Sequence, residues 1–533
     1  MDFAKYLILL VTVAQLLPSS AGGARILGLF GYSTQSHNNV FTALTKELAV
    51  RGHDLTVVTP YPLKNAPGKY RQIEIADLRN SVEQTSNITN MNVLQRFIFI
   101  TSLFLNACPR VLQHPELKTL LKEKFDLILI SVVFNDCLLP FAFRMNASFI
   151  TIGPQGLLAA YKIGNPEPSS FVPSRLFSYS DHMNFWERSM NFLIPSILML
   201  CREFIVMPKM NQAARQFFGN DIPAIEDLEC NASLAFINTH LGFNYPRPLN
   251  PNIIEVGGMH IKKKPDPLPK DLQEYLDGAE EGAIYFSMGS MLRADDLPPE
   301  KVQEILQAFA GLKQRVVWKW SSDELPGQPS NVKIGKWFPQ QSILAHPNIR
   351  LFITHGGLLS TQESIFHGVP IVGIPIFTDQ HLNMRRSENL GYALTVNVAT
   401  ITTDSFLKTM QTVLNNASFS EMAQRLKNRF RDELNDPLER AVFWTEYVLR
   451  HEGAHHLRSA ATRLYWFQYY MLDFAAFMLG LAVLPVLAIR AGLFRKFLAI
   501  FYSVSPSPSK TRKQSKNDKL DSKNKQGKKL KIS

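Results

Sequence analysis

Two short apolar runs separated by a helical pattern stand out in the second half of the chain. Arg350 to Thr354 forms the first run and Ile371 to Ile374 the second, as is typical of buried strands. Between them, His355-Gly356-Gly357 predicts a tight turn, and Leu358 to His367 predicts a helix that ends at Gly368. Strand, turn, helix and strand in this order predict a parallel sheet.

The same pattern occurs near the N-terminus. A strand over Ala24 to Phe30 precedes a helix over Asn38 to Arg51 and a second strand over Leu55 to Thr59. Further strands are predicted at Phe125 to Val133, Ser148 to Ile152, Ala283 to Met288 and Val316 to Trp320. Further helices are predicted at Pro299 to Lys313, 402 to 415 and Pro437 to His451. The chain is therefore predicted to have an N-terminal and a C-terminal α/β domain.

Irregular stretches separate these patterns. Residues 154 to 245 are rich in aromatic residues and proline, which predicts acceptor-side loops and helices, with ordinary core helices as the alternative. A Pro- and Lys-rich stretch near residue 250 predicts a linker. The predicted boundaries are 23–245 for the N-terminal domain, 246–275 for the linker and 276–452 for the C-terminal domain.

Both ends of the chain carry membrane-related patterns. Residues 1–22 predict a secretory signal peptide. Residues 467–489 are nearly all apolar and predict one transmembrane helix, preceded by aromatic residues and followed by a basic tail over 490–533. The tail ends in a KxKxx pattern typical of endoplasmic reticulum retrieval, although a basic tail also follows many membrane anchors. This pattern predicts a type I protein of the endoplasmic reticulum membrane with lumenal domains.

The charge distribution argues against a nucleic-acid-binding role. The 533 residues are 46% hydrophobic and 19% charged, with a formal net charge of +12. The last 30 residues carry a net charge of +8, and Arg490, Arg495 and Lys496 add three positive charges. The rest of the chain is therefore nearly neutral, and we predict no nucleic-acid partner.

Cysteines and glycosylation sequons fit a lumenal chain. The four cysteines form no CxxC metal pattern, and both a disulfide and buried free thiols remain open for Cys108, Cys137, Cys201 and Cys230. Sequons that predict a glycoprotein begin at Asn87, Asn146, Asn231 and Asn416.

Polar residues around the turn at 355–357 have the chemistry to bind a nucleotide sugar. The turn precedes a helix N-terminus, whose backbone N–H groups suit a phosphate. The indole of Trp337 can stack on a base, and the amide of Gln340 can pair with a base edge. The carboxylate of Glu363 can bind ribose, and Asp379 and Gln380 can bind sugar hydroxyl groups. Taken singly, a core Trp337, a helix-capping Ser360 and a solvated Glu363 are equally simple interpretations.

This stretch resembles the signature of the membrane-bound animal UDP-glycosyltransferases, especially the insect members, and the resemblance extends from about Arg25 to Ser459. It implies a GT-B fold, in which two Rossmann-like domains face a cleft. The roles that it implies are uracil binding by Trp337 and Gln340, a position near the nucleotide for Ser290, diphosphate binding by His355, Gly357 and Ser360, ribose binding by Glu363, and sugar binding by Asp379 and Gln380.

The resemblance implies that His37 is the catalytic base. His37 is predicted to lie in the loop after the first strand, at the carboxyl end of the sheet. Family members pair this histidine with an aspartate, but the equivalent position here is Ser131, which cannot balance an imidazolium charge. Three interpretations are open: Asp136 completes the dyad, another carboxylate completes it, or His37 acts without a carboxylate partner. The segment from Phe134 to Cys137 fits a helix cap equally well.

The predicted function is inverting sugar transfer from a UDP-sugar to a small lipophilic hydroxyl compound, with a role in detoxification. The insect resemblance favours glucose as the sugar. Glucuronate remains open, with Arg293 as an unassigned cation. The resemblance implies no metal or further cofactor, and the chain has no DxD motif. A homo-oligomer is left open, and a nucleotide-sugar-binding protein with little turnover is the alternative that Ser131 supports.

Overall fold

The computed structural model of the chain describes residues 23–83, 93–156, 160–290, 297–376 and 379–503. They fall into two compact units, Met1–Arg463 and Leu464–Ser533. The predicted signal peptide, the sequon at Asn87, Arg293 and the tail from residue 504 lie outside the described residues.

The first sheet contains seven parallel strands within the described residues, in the spatial order β3-β2-β1-β4-β5-β6-β7. The strands are β1 (Arg25–Leu29), β2 (Asp54–Thr59), β3 (Tyr70–Glu74), β4 (Leu127–Ser131), β5 (Ser148–Gly153), β6 (Leu234–Ile237) and β7 (Ile253–Glu255). The strand order reverses between β1 and β4. In open parallel sheets, ligands bind beyond the carboxyl ends of the strands at such a switch point.

Eight α-helices of this part of the chain are described. They are α1 (Gln35–Val50), α2 (Ala76–Glu83), α3 (Val93–Leu112), α4 (Pro115–Leu120), α5 (Pro140–Met145), α6 (Phe185–Cys201), α7 (Met207–Phe218) and α8 (Ile225–Glu229). A π-helical turn, Arg202–Val206, joins α6 to α7. Phe185 and Trp186 are exposed on α6, so α6 is not an ordinary core helix, whereas α7 packs in the hydrophobic core through Met207, Met210 and Ala214.

Strand β4 explains why the sequence shows continuous apolar runs. Leu127 and Leu129 belong to the hydrophobic cluster that includes α1, whereas Ile128 and Ile130 belong to the cluster on the opposite face with α3. Successive side chains of a strand point to opposite faces, and helices cover both faces of this sheet. Every position of the strand is therefore buried.

The second sheet repeats this connectivity with six described strands in the order β10-β9-β8-β11-β12-β13. The strands are β8 (Ala283–Ser287), β9 (Arg315–Lys319), β10 (Val332–Gly335), β11 (Ile349–Thr354), β12 (Ile371–Gly373) and β13 (Ala393–Thr395). The helices are α9 (Lys270–Asp277), α10 (Pro299–Ala310), α11 (Gln340–Leu344), α12 (Leu358–His367), α13 (Gln380–Asn389), α14 (Thr403–Asn415), α15 (Ala417–Arg431) and α16 (Pro437–Arg450). The unit thus contains two sheets of Rossmann type.

The last of these helices returns to the first sheet. Ala441 and Val442 of α16 share a hydrophobic cluster with Val40 and Phe41 of α1. Arg51, at the end of α1, also pairs with Glu439 at 2.6 Å. The C-terminal helix of the second domain therefore packs against the first domain.

The predicted linker is longer than the connection that the structure has. Strand β7 lies inside the predicted linker 246–275 and pairs with β6, so the first domain continues to Glu255. Helix α9 also begins inside this range, and Leu272 packs in a core of the second domain. The regular structure leaves only residues 256–269 as the connection.

The second compact unit contains helices α17 (Trp466–Tyr469) and α18 (Leu472–Ser503). Helix α18 has 32 residues and is long and apolar enough to cross a membrane. It overlaps the predicted span 467–489 but continues to Ser503, so the first part of the predicted tail is helical. The continuous helix Phe185–Phe218 passes the same test of length and composition, which the sequence analysis did not anticipate.

Candidate active site

A cavity lies between side chains of the two Rossmann-type domains, with about 590 Å³ of empty space that is partly open to solvent. Ser36, His37 and Gln155 line it from the first domain. The second domain contributes Gly289, Ser290, His355, Gly357, Leu358, Leu359, Ser360, Asp379 and Gln380. Seven of the eleven predicted site residues therefore line one cavity, which receives groups from both domains.

The N-terminus of α12 forms one wall of this cavity. Strand β11 ends at Thr354, and Gly357 is the N-cap residue of α12. A Cβ atom at Gly357 would lie 2.5 Å from His355 Nε2, so a larger residue here would displace the imidazole. The first backbone N–H groups of a helix lack intrahelical acceptors and carry a partial positive charge. The wall is therefore suited to an anionic group such as a diphosphate.

The His355 ring is buried between two glycines. A Cβ atom at Gly289, which has a φ of +87°, would lie 2.5 Å from His355 Cε1. Burial, with a smaller contribution from the charge of Lys319, lowers the pKa of His355 to about 4. The imidazole is therefore neutral at physiological pH and can act on a diphosphate as a hydrogen-bonding group.

Gln340, Ser360 and Glu363 form a connected polar group. Gln340 Nε2 donates hydrogen bonds to Ser360 Oγ at 3.1 Å and to Glu363 Oε2 at 2.5 Å. Gln341 Nε2 donates to Glu363 Oε1 at 3.0 Å, and His260 Nε2 lies 3.3 Å from the same oxygen. Burial alone would raise the pKa of Glu363, but the hydrogen bonds and charge of these partners lower it below its usual range. Glu363 is thus held as an oriented carboxylate.

Trp337 lies near this group with its indole exposed. Its side chain is 64% exposed, so a core Trp is excluded. Lys319 Nζ lies 4.6 Å from the centroid of the indole ring and also donates to Gly289 O at 2.8 Å. The exposed face offers a stacking surface for a planar base.

Asp379 and Gln380 are buried at the start of α13. Asn383 Nδ2 donates to Asp379 Oδ2 at 2.9 Å, and Gln380 Oε1 accepts a hydrogen bond from Ile376 N at 2.8 Å. These bonds fix both side chains at the wall of the cavity, where sugar hydroxyl groups can reach them.

His37 lies in the first turn of α1, not in the preceding loop as predicted. Helix α1 begins at Gln35 because Thr34 caps it, with Thr34 Oγ1 accepting a hydrogen bond from His37 N at 3.2 Å. Burial lowers the pKa of His37 to about 4, and the positive charge of Arg175 contributes in the same direction. The imidazole is therefore neutral and available to accept a proton.

The structure does not bring Asp136 to His37. Asp136 Oδ1 accepts a hydrogen bond from Arg202 Nη2 at 2.9 Å and lines a second cavity of about 930 Å³. Ser131 lines this second cavity too, and its Oγ accepts a hydrogen bond from Val133 N at 3.2 Å. The ion pair with Arg202 accounts for Asp136 without a catalytic role, and its support of His37 stays a prediction.

A disulfide shapes the segment that carries Asp136. Cys108 of α3 is bonded to Cys137, which settles a pairing that the sequence left open, and Cys201 and Cys230 are free. Asp136 begins a 3₁₀ turn, Asp136–Leu138, in which Asn135 makes no side-chain cap, so the helix-cap interpretation is wrong. The covalent bond holds this turn against α3.

Sequence reasoning missed several polar residues that line the two cavities or contact the site residues. Gln155, Arg175 and Lys319 lie in segments with no recognised motif, and His260 and Gln341 act on Glu363 through contacts across the chain. Gln341 follows Gln340 directly, so the pair of neighbouring amides in the sequence could have indicated that Gln341 also belongs to the site. No local pattern marks Arg175, because it lies in a turn far from His37 in sequence.

Two Rossmann-type domains that line one cavity define the GT-B class of glycosyltransferases. A solved structure of this class, a UDP-glucosyltransferase from Polygonum tinctorium in complex with 3,4-dichloroaniline, matches with a TM-score of 0.54. It is 14% identical, and the match covers 81% of this chain and 100% of that chain. The similarity supports the fold.

The chain belongs to the UDP-glycosyltransferase family. The family model "UDP-glucoronosyl and UDP-glucosyl transferase" matches residues 33–504. UDP-glucosyltransferase 2 of Dactylopius coccus is 37% identical over 89% of this chain and 93% of its own length. UDP-glucuronosyltransferase 1A3 of Rattus norvegicus is 31% identical over 83% of this chain and 86% of its own length. The activity is therefore sugar transfer from a UDP-sugar, and the relatives' names include two different sugars.

Proposed function

We propose that this protein transfers glucose from UDP-glucose, with inversion, to the hydroxyl group of a small lipophilic acceptor, and so forms a β-glycoside. The observation that carries the proposal is the cavity shared by His37 and the N-terminus of α12. Both line this cavity, so a neutral imidazole from one domain and backbone N–H groups suited to a diphosphate from the other share one space. The choice of glucose follows the UDP-glucosyltransferase named among the relatives.

In this proposal the second domain binds the donor and stabilises its leaving group. Trp337 and Gln340 bind uracil, and Glu363 binds the ribose. Ser290 lies near the nucleotide in the cavity wall. The α12 backbone N–H groups, with His355 and Ser360, bind the diphosphate, whose negative charge increases as the sugar departs. Asp379 and Gln380 orient the sugar.

The first domain activates the acceptor. The acceptor oxygen attacks the anomeric carbon from the side opposite the diphosphate, and a new carbon–oxygen bond forms while the bond to the diphosphate breaks. The electron pair of the broken bond leaves with UDP, and the acceptor proton goes to His37. Attack opposite the leaving group inverts the anomeric centre, and the shared cavity favours the required alignment.

We place this activity in the endoplasmic reticulum lumen, on a type I membrane protein anchored by α18. The signal-like N-terminus, the apolar helix and the basic C-terminus of the sequence support this topology. The proposed reaction needs no metal or cofactor beyond the UDP-sugar, and conjugation of lipophilic compounds fits a role in detoxification. A homo-oligomer is compatible with this arrangement.

One alternative has a specific observation behind it. In this alternative the protein binds nucleotide sugars with little turnover; it is favoured by Ser131, which replaces the family's aspartate, and by the pairing of Asp136 with Arg202. An imidazole without a carboxylate partner is a weaker base catalyst.

The test is turnover by the full chain in microsomes, wild type beside His37→Ala. UDP-glucose and UDP-glucuronate are supplied separately with a panel of phenols, and conjugates are detected by mass. We expect glucosides, and a loss of turnover of about 10² to 10⁴-fold in His37→Ala with unchanged UDP affinity. His182→Ala is the matched control, because the His182 side chain is 94% exposed. Bound UDP without product from any acceptor would favour the inert binder.

A further inference from the structure

Arg175 lies at the boundary between the two cavities. It lines the larger cavity, and its Nη1 donates a hydrogen bond to Gln155 Oε1 at 3.2 Å. Gln155 in turn lines the smaller cavity with His37. The charge of Arg175 acts on His37, and the charge of Asp379 acts on Arg175. This guanidinium therefore stands within electrostatic reach of both the proposed base and a sugar-binding carboxylate.

The other two cations of the larger cavity have carboxylate partners of their own. Arg202 and Lys162 form ion pairs with three carboxylates, namely Asp136, Glu203 and Glu229. Among the residues that the structure describes, Arg175 makes its side-chain hydrogen bond to Gln155 and no ion pair within 4.0 Å. Glu167 acts on it only at longer range, and pairs itself with Arg247 at 3.7 Å. Arginine stays charged in proteins, so Arg175 has a positive charge that no direct ion pair among the described residues neutralises, although Asp379 and Glu167 act on it at longer range.

This arrangement reverses the charge that family members place beside the histidine. An aspartate would stabilise the imidazolium formed during transfer, but the sequence has Ser131 there, and a cation acts on His37 instead. A nearby cation opposes protonation of the imidazole and stabilises a negative charge on the acceptor oxygen. An acceptor whose hydroxyl is acidic brings part of that negative charge itself and depends less on the base.

We propose that Arg175 is a specificity-determining residue that favours acceptors with an acidic reacting hydroxyl, such as phenols with electron-withdrawing substituents, over neutral alcohols. The inference rests on the proposed function. The acidic acceptor enters as its phenolate, having lost its proton to solvent or to His37. Its oxygen forms the bond to the anomeric carbon, and the electron pair of the broken bond leaves with UDP. Arg175 balances the phenolate charge until that bond has formed.

A uronate donor would bring the same chemistry in its carboxylate. The position of Arg175 in the larger cavity favours the acceptor, rather than the donor, as the source of the negative charge that it balances. The residues that line this cavity belong to the first domain, largely to the carboxyl ends of β4, β5 and β6 and to turns. Arg175 belongs to one of these turns. The residues proposed to bind the donor belong to the second domain.

The experiment compares wild type with Arg175→Gln and Arg175→Lys as full chains in microsomes. Acceptors are para-substituted phenols of graded acidity and a matched set of benzyl alcohols, each with UDP-glucose and with UDP-glucuronate. We expect Arg175→Gln to lower kcat/KM about 10- to 100-fold for the most acidic phenols and less than about threefold for benzyl alcohols, since a hydrogen bond to a charged group is lost. Arg175→Lys should restore part of the preference.

Two controls separate this inference from structural damage. Arg215→Gln removes an exposed arginine of α7 and should leave the slope of kcat/KM against acceptor acidity unchanged. UDP affinity reports whether each variant folds its donor domain. Equal losses for phenols and alcohols would overturn the inference, as would a loss confined to UDP-glucuronate. Conjugation of neither acceptor class by the wild type would overturn the proposed function and this inference with it.

Discussion

The two Rossmann-type domains share one strand order but assemble their parts of the site differently. In the second domain, most predicted donor-binding residues lie between residues 337 and 380, and short hydrogen bonds join Gln340, Ser360 and Glu363. In the first domain, His37, Gln155 and Arg175 come from distant parts of the sequence. Long-range contacts join segments of this domain: Asn135 exchanges two hydrogen bonds of 2.9 Å with the Tyr32 backbone, Cys108 is bonded to Cys137, and Arg175 donates a hydrogen bond to Gln155.

This difference predicts which substitutions disturb donor binding in the second domain and which disturb acceptor use in the first. A donor site built largely from one strand-turn-helix-strand unit keeps its geometry as long as that unit folds. An acceptor site built from distant segments depends on contacts that are separated widely along the chain. Changes to the first domain should therefore alter turnover and acceptor use while donor affinity stays constant, and changes to the second domain should do the reverse.

The largest effect should come from the disulfide of the first domain. Cys108→Ser with Cys137→Ser should cost about 3 to 4 kcal/mol of unfolding free energy, because the bond closes a loop with a sequence separation of 29 residues. The midpoint of thermal unfolding should fall by several degrees, and turnover should fall with it. Thermal scanning of the purified full chain in detergent measures the first quantity.

Cys201→Ser is the matched control, because Cys201 is free and should leave the unfolding midpoint unchanged within about a degree. UDP affinity should stay constant in the double variant. If UDP affinity fell as far as turnover, the donor site of the second domain would not be independent of the first domain.

The next effect tests the donor half. Glu363→Gln should weaken UDP affinity about 10- to 100-fold, because the variant loses the charge that we propose binds ribose and that Gln340, Gln341 and His260 orient. Titration calorimetry with UDP measures the affinity. The preference among phenol acceptors should not change.

Glu421→Gln serves as the control in the same domain, because Glu421 is exposed on α15. Unchanged UDP affinity in Glu363→Gln would contradict the ribose-binding role and the local nature of the donor site.

The same difference explains what could be predicted from the sequence. The unit from β11 to β12 was predicted almost residue by residue, because apolar runs, a glycine turn and a helix stop are local signals. The family fold also agrees with the structure. The position of Asp136 was not predictable, because its partner Arg202 lies 66 residues further along the chain. The start of α1 was missed because Thr34 was not recognised as its cap.

A third prediction concerns the pH dependence of the acceptor half. Burial, and then the charge of Arg175, lower the pKa of His37 to about 4, so its neutral form persists from alkaline pH down to that value. With a benzyl alcohol acceptor, which does not titrate, kcat/KM should show no loss through His37 between about pH 5 and 8. An unburied histidine would lose its base form below its ordinary pKa of about 6.5.

Ser131→Asp sharpens this prediction, because the family resemblance places the carboxylate partner of His37 at that position. A carboxylate there stabilises the imidazolium and raises the pKa of His37, so the variant should lose about tenfold in kcat/KM between pH 8 and pH 5. Ser131→Asn is the neutral control and should keep the flat profile. An acid limb near pH 6.5 in the wild type would show that His37 is not desolvated.

The smallest effect is expected at Asp136. Asp136→Asn should change kcat/KM less than about threefold, because the carboxylate is held by Arg202 at 2.9 Å and lines the cavity that His37 does not. The control is Asp126→Asn, at the opposite end of β4, where the carboxylate accepts a hydrogen bond from Arg25 N at 2.7 Å. Steady-state kinetics of both variants with one phenol give the comparison. A loss of 10² or more at Asp136 alone would restore it as the partner of His37, and the acceptor half would then contain the dyad that its sequence lacks at Ser131.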